Sequence, residues 1–206
     1  MSKKPVIEPF RLPRVLAAAR ACNETALAQL RGTARLSPGQ VHDTRVAIKK
    51  LRGLWQLMAA LGHEKTAARR DKALKRAAAS LATSRDAQVA SDTLERLAAD
   101  SHREYEQQAL QQVAALLREQ APGSTMPGKP VDLEAVFEAE ADAWAEIDME
   151  LADAQLVEAM ARVYARARRL LEQARDRDDE SAWHRLRKWV KYLHYQLEAQ
   201  GGPEPD

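Results

Sequence analysis

Cysteine is almost missing from this sequence: Cys22 is the only one among 206 residues. An internal disulfide is thereby excluded, and a reducing compartment fits. Cys22 sits among alanines in a helical pattern, so it reads as a small buried residue rather than a reactive thiol. Aromatic residues are 5% of the chain and glycines number 8, against abundant alanine, which makes helix the expected secondary structure. No apolar run approaches the roughly 20 residues of a membrane span. The opening MSKKPVIEPFRLPR lacks the apolar stretch that a secretory signal needs. The expected location is therefore the cytoplasm, with no membrane partner. Runs of alternating apolar and polar residues, which would mark strands, are missing too.

What the chain does have is charge, and the charge is segregated. Its composition, 45% hydrophobic and 30% charged, suits a globular protein of one large or two small domains. The net charge of +2 hides the asymmetry. Residues 132–153 hold nine acids and no base. Residues 65–85 hold seven bases and one acid, and residues 162–191 hold ten bases and five acids. Local potential, not the total, is what a ligand feels.

Apolar periodicity places a first helix over 9 to about 31, with Leu12, Val15, Leu16, Ala19, Leu27 and Leu30 on one face. SPGQ at 37–40 reads as a turn, followed by a helix that Gly62 ends near Leu61. A third helix covers about 65–82, TSRD at 83–86 is a break or kink, and a fourth helix runs to about Glu119. APGSTMPGKP, 121–130, is the evident linker. Two further helices follow, with a bend near Asp153. Then comes a polar turn at DRDDES and a last helix that Ser181 could cap and GGPEPD ends. The expected fold is all-α. It divides into a first helical-bundle half over 10–120, the linker, and a shorter second half over 131–200.

The two parts echo each other. VHDTRVAIKKLRGLW, from Val41, aligns with WHRLRKWVKYLHYQL, from Trp183. His42 falls on His184, Arg45 on Arg187, Lys49 on Lys191 and Arg52 on His194. An α-helix turns 100° per residue, so His42, Arg45, Lys49 and Arg52 share an arc of about 80°. Val41, Ile48, Leu51, Leu54, Trp55 and Met58 lie opposite. In the second copy Trp183, Trp189, Val190, Leu193 and Leu197 form the apolar side, so each helix is expected to bury one face and offer a row of cations on another. Lys65, Arg69, Lys72 and Arg76 make a further row on the third helix.

Most helical charge rows are simply solvated faces. Here the stripes lack interspersed acids, and the same histidine and arginine recur at the same phase, which solubility does not require. Rows of like charge facing a shared groove would repel unless an anion neutralised them. A polyanionic ligand follows, since guanidinium forks and ammonium groups both suit phosphate oxygens. Metal binding fits poorly. His42 has no ligating residue at +3 or +4, His184 has only Arg187 and Lys188 there, and cations crowd both. No Walker-type loop or nucleophile–base pair supports phosphate hydrolysis, and no cofactor motif appears. The acidic row Asp142, Glu146 and Glu150 is expected to be solvated or to dock on the outside of a basic helix.

VHDTRVAIKKLR, LATSRDAQV, VYARARRLLEQA and WHRLRKWVKYLHYQLE, in that order, resemble the CHAD family, the conserved histidine α-helical domain, over about residues 10–198. The resemblance implies two bundle-like halves whose basic helices line a positive groove or tunnel that binds inorganic polyphosphate, with an association with polyphosphate granules. It assigns ligand contacts to His42, Arg45, Lys49, Arg52, His184, Arg187, Lys191 and His194. Arg85 and Asp86 match the family's Arg-Asp pair at a helix junction, where Arg85 binds ligand or forms a structural ion pair. Tyr164, Arg166 and Arg169 match its Tyr- and Arg-rich helix. Arg69, Arg76 and Lys188, on the basic helices, complete the candidate set. The chain departs from the family's pattern at His194, where arginine is usual. It also departs in ending soon after the second motif, which leaves the second half shortened, open, or completed by another subunit.

The reading is a non-enzymatic polyphosphate-binding module without metal or cofactor. Nucleic acid is the main rival partner, because basic helices bind phosphates whatever carries them. Against it, no aromatic stacking platform or helix-turn-helix stands out. A purely structural or partner-binding helical protein is the other rival.

Overall fold

Ser37 and Gln40 start the central helix by capping each other. The Ser37 hydroxyl accepts from the Gln40 N–H at 3.3 Å, and the Gln40 side chain accepts from the Ser37 N–H at 2.8 Å. This capping box, with Pro38 in the first turn, makes SPGQ the first turn of a helix rather than a separate turn. The structure, a computed structural model, describes residues 10–33, 36–119, 131–147, 153–177 and 179–201, apart from the side chains of 82–89, 92, 118–119 and 153.

Among the described residues the fold is all-α, with no strand. In chain order the helices are α1 (Leu12–Leu30), α2 (Pro38–Ala60), α3 (Glu64–Ser80), α4 (Ala82–Asp100), α5 (Glu104–Glu119), α6 (Leu133–Ala145), α7 (Asp153–Arg177) and α8 (Glu180–Gln200). Three expectations change. The break after the third helix falls at Leu81, so TSRD lies inside α4. The expected single fourth helix is a hairpin, turned at Ser101, whose hydroxyl bonds the Glu106 carboxylate at 2.9 Å and accepts from the Arg103 N–H. Asp179, not Ser181, caps α8 by accepting from the Ala182 N–H at 2.7 Å. The 121–130 linker and Glu150 lie outside the described residues.

The core forms around α2. Ile48, Leu51, Leu54, Trp55, Leu57 and Met58 are fully buried, as the α2 periodicity predicts. Helices α1 and α3 flank α2, α6 packs on α1 and α3, and the α7–α8 pair lies across α2. Trp55 meets Trp144 of α6 with ring centroids 4.1 Å apart. Truncating either tryptophan to alanine would cost about 3–5 kcal/mol. Helices α4 and α5 pack mainly on each other and reach the rest through α3 and α2.

The acidic helix α6 is held from within. Glu140 is fully buried, where its carboxylate accepts from Arg70 Nε and Trp55 Nε1, each at 2.6 Å. Arg70 also donates to the Val136 carbonyl at 3.0 Å. Burial pushes the Glu140 carboxyl up, against the pull of Trp55 and Arg70. Docking on the outside of a basic helix is thus not how α6 pairs. Asp142 and Glu146 are exposed, and α6 meets α3 through a core ion pair.

The α8 face also differs from expectation. Trp183, Val190 and Leu197 are 42%, 50% and 48% exposed, while Ala182, Tyr192, Gln196, Ala199 and Gln200 are buried. Gly53 lies at the contact. A Cβ at Gly53 would lie 3.3 Å from the Tyr192 Cα, a tight contact that would require the Tyr192 backbone to give by a few tenths of an ångström. Gln196 Nε2 then donates to the Gly53 carbonyl at 2.8 Å. A small-residue contact plus the hydrogen bond from the buried Gln196 Nε2 accompanies this face, although the Gln196 Oε1 is buried without a partner.

Candidate anion-binding site

Helix α3 runs back along α2, and α8 crosses α2 at Gly53; Lys50 meets Glu198 at 2.5 Å beside the crossing. Three helices therefore converge near Arg52. Arg52 Nε donates to Asp71 Oδ1 at 2.8 Å, and Lys75 Nζ lies 2.7 Å from Asp71 Oδ2. The Arg52 guanidinium stands 5.8 Å from the centroid of the Tyr192 ring. Lys188 of α8 completes the group.

The electrostatics of this cluster are strained toward positive. The Lys188 ammonium is pushed down from its ordinary value by burial first, then by Arg52 and Lys75, with Arg185 adding to them and Asp71 opposing. Burial alone would raise the Asp71 carboxyl, but the hydrogen bonds and charges of Lys75 and Arg52 outweigh it and hold it below the usual carboxylate range. Burial pushes the Tyr192 phenol up to about 12. One carboxylate thus stands among Arg52, Lys75 and Lys188, with Arg185 one turn before Lys188 on α8.

The other sequence-derived residues are more dispersed. Arg45 Nη1 donates to the Ala78 carbonyl at 3.1 Å, and Lys49 is half-buried between it and Arg52 along α2. His42 is exposed near the start of α2. His42 lies eleven residues before Gly53 on α2 and His184 twelve residues before Gln196 on α8, so neither histidine sits at the point where the two helices meet. His184, Arg187, Lys191 and His194 are all exposed, on the side of α8 away from Tyr192 and Gln196. His194 Nε2 lies 4.0 Å from Glu198. Arg69 and Arg76 are exposed on α3, and Arg169 is exposed on α7. Arg166 sits 5.6 Å from the centroid of Trp189, in cation–π range. The side chains of Arg85 and Asp86 lie outside the described residues. The eight residues of the two stripes are therefore not gathered at one point; Arg52 and Lys188 are the candidates that meet.

Sequence reasoning missed Asp71, Lys75, Arg185 and Tyr192. Asp71 and Lys75 are an i,i+4 pair, a signal that could have drawn attention to that face of α3. The half-buried Cys22 belongs to a different concavity, of about 550 Å³, between α1, α2 and α8. Its walls include five alanines along with Arg14, Asp43, Lys50 and Glu198, and burial pushes the Cys22 thiol up. Among the described residues, no three His, Cys, Asp or Glu side chains cluster as metal ligands, and no helix is long and apolar enough to cross a membrane.

Among the described residues the fold is all-helical, and cations of α2, α3 and α8 come together around Asp71. The CHAD domain family model matches residues 17–202, and the chain belongs to that family. No curated protein and no solved structure matches it.

Proposed function

We propose that this chain binds inorganic polyphosphate, without turning it over, along basic helices α2, α3 and α8, and that it serves where polyphosphate accumulates, at granules. The observation that carries the reading is the Asp71 carboxylate held by Arg52 and Lys75, with Lys188 of α8 within electrostatic reach of all three. Cations held this close cost free energy that a bound polyanion offsets. Membership of a family associated with polyphosphate supports the chemical class. The reading also takes α2 and α8 as two copies of one basic motif. The electrostatic repulsion between Lys188 and Arg52 links them.

The test is a competition. Labelled long-chain polyphosphate bound to the protein at physiological salt is challenged with single-stranded RNA, duplex DNA and orthophosphate. Polyphosphate should hold against all three, and binding should weaken steeply with salt as counterions are released. Equal or better competition by either nucleic acid overturns the reading. Release of orthophosphate during incubation would refute the non-enzymatic part.

A further inference from the structure

Asp71 is the odd member of the cluster. It is an acid 14% exposed, at the point where the cations of α2, α3 and α8 meet. Both of its oxygens are engaged, one by the Arg52 fork at 2.8 Å and one by the Lys75 ammonium at 2.7 Å. A guanidinium and an ammonium each on an anionic oxygen is the contact set that a phosphoryl group takes from protein cations. Lys188, with Arg185 beside it, adds positive charge that Asp71 alone does not balance.

We propose that Asp71 is an internal counter-anion, seated where a phosphoryl group binds and displaced by it, so that the site rejects single phosphates and admits only polyanions. The proposal rests on the reading of this cluster as a phosphate-polymer site. Displacing Asp71 carries a fixed cost at each binding event. Orthophosphate recovers little more than the contacts that Asp71 gives up. A polymer spreads the same cost over many contacts, because its neighbouring phosphates engage cations elsewhere on the surface. The carboxylate acts as a threshold that favours length.

The experiment is calorimetric titration of the full chain at physiological salt with orthophosphate, tripolyphosphate and long-chain polyphosphate, comparing wild type, Asp71→Asn and Asp71→Glu. Removing one negative charge next to the ligand should tighten orthophosphate binding by about tenfold or more in Asp71→Asn, with a smaller gain for the long chain. Asp71→Glu, which keeps the charge, should behave as wild type. Orthophosphate affinity that is unchanged or weaker in Asp71→Asn overturns the proposal, as does an equal gain in Asp71→Glu. If wild type fails to retain long-chain polyphosphate, the polyphosphate reading falls, while the orthophosphate arm still decides the role of Asp71. Asparagine keeps an oxygen for Arg52, and circular dichroism checks the fold. Should Asp71→Asn not fold, Asp71→Ser replaces it. Loss of the fold in both would make Asp71 a structural requirement and overturn the counter-anion role.

Discussion

Asp71 ties together stability and binding at the level of a single residue. Its carboxyl lies below its ordinary value in the folded chain because Lys75 and Arg52 hold the charged form. A depressed carboxyl contributes stability that is present above its unfolded value, near 3.9, and lost as pH falls through the folded value. Wild type should therefore exceed Asp71→Asn in stability by about 1–2 kcal/mol at pH 7, with the gap closing below about pH 4. Urea melts at pH 7 and pH 3.5 measure both gaps; equal gaps at the two pH values would show that the charge of Asp71 is not what Arg52 and Lys75 recognise. The substitution expected to tighten orthophosphate binding is thus expected to loosen the fold. The cations of this region were legible from the sequence, because Arg52, Arg69, Arg76 and Lys188 sit in evident rows. The acid among them was not, since one Asp in a run of seven bases reads as noise until its two partners are seen to close on it. Likewise Arg70 was only one of the seven bases of residues 65–85, yet its guanidinium is buried on Glu140 and serves the core.

Between elements, the decisive contact is α2 against α8. Most of α2 follows from its pattern: the capping box begins it, the apolar stripe fills the core, and Gly62, at φ 103°, ends it. The docking of α8 does not follow from its pattern, because the more apolar face is left outward and the face carrying Tyr192 and Gln196 turns inward. Apolar count chose wrongly here. Backbone proximity at Gly53 and the hydrogen bond from the buried Gln196 amide accompany the observed orientation instead. A glycine inside an otherwise strong helix former, at RGLW, was the available clue. Gly53→Leu tests it. Leucine favours helix more than glycine does, so intrinsic propensity would stabilise α2. Overpacking against the Tyr192 backbone should nevertheless cost about 1–3 kcal/mol net and push α8 off α2. Polyphosphate affinity should fall with it, because Arg52 and Lys188 separate. A variant as stable as wild type with unchanged binding would show that the α2–α8 approach does not build the site.

For the whole molecule, the charge segregation resolves into two regions with different roles. The acids of α6 point one member, Glu140, into the core, whereas cations of α2, α3 and α8 gather around Asp71. The ligand-free protein thus carries a repulsion that its core must outweigh, and Lys188, pushed down by burial and by Arg52 and Lys75, marks where it is largest. A ligand that removes this repulsion binds the folded state alone, so it must raise stability by mass action. At a free concentration one hundred times Kd, the gain is about 2.7 kcal/mol, or roughly 5–10 °C in Tm for a chain of this size. Long-chain polyphosphate should give that shift, and sodium chloride at matched ionic strength should not, because diffuse screening leaves a partly buried cluster largely untouched. Lys188→Gln separates this mechanism from general surface adsorption. Without the buried ammonium the ligand-free protein should melt higher than wild type, and the shift on adding polyphosphate should shrink. Adsorption to the exposed arginines of α7 and α8 would leave both melting temperatures and the shift as they are in wild type. A thermal melt of the two proteins, with and without polymer, decides between a site built where three helices meet and a merely basic exterior.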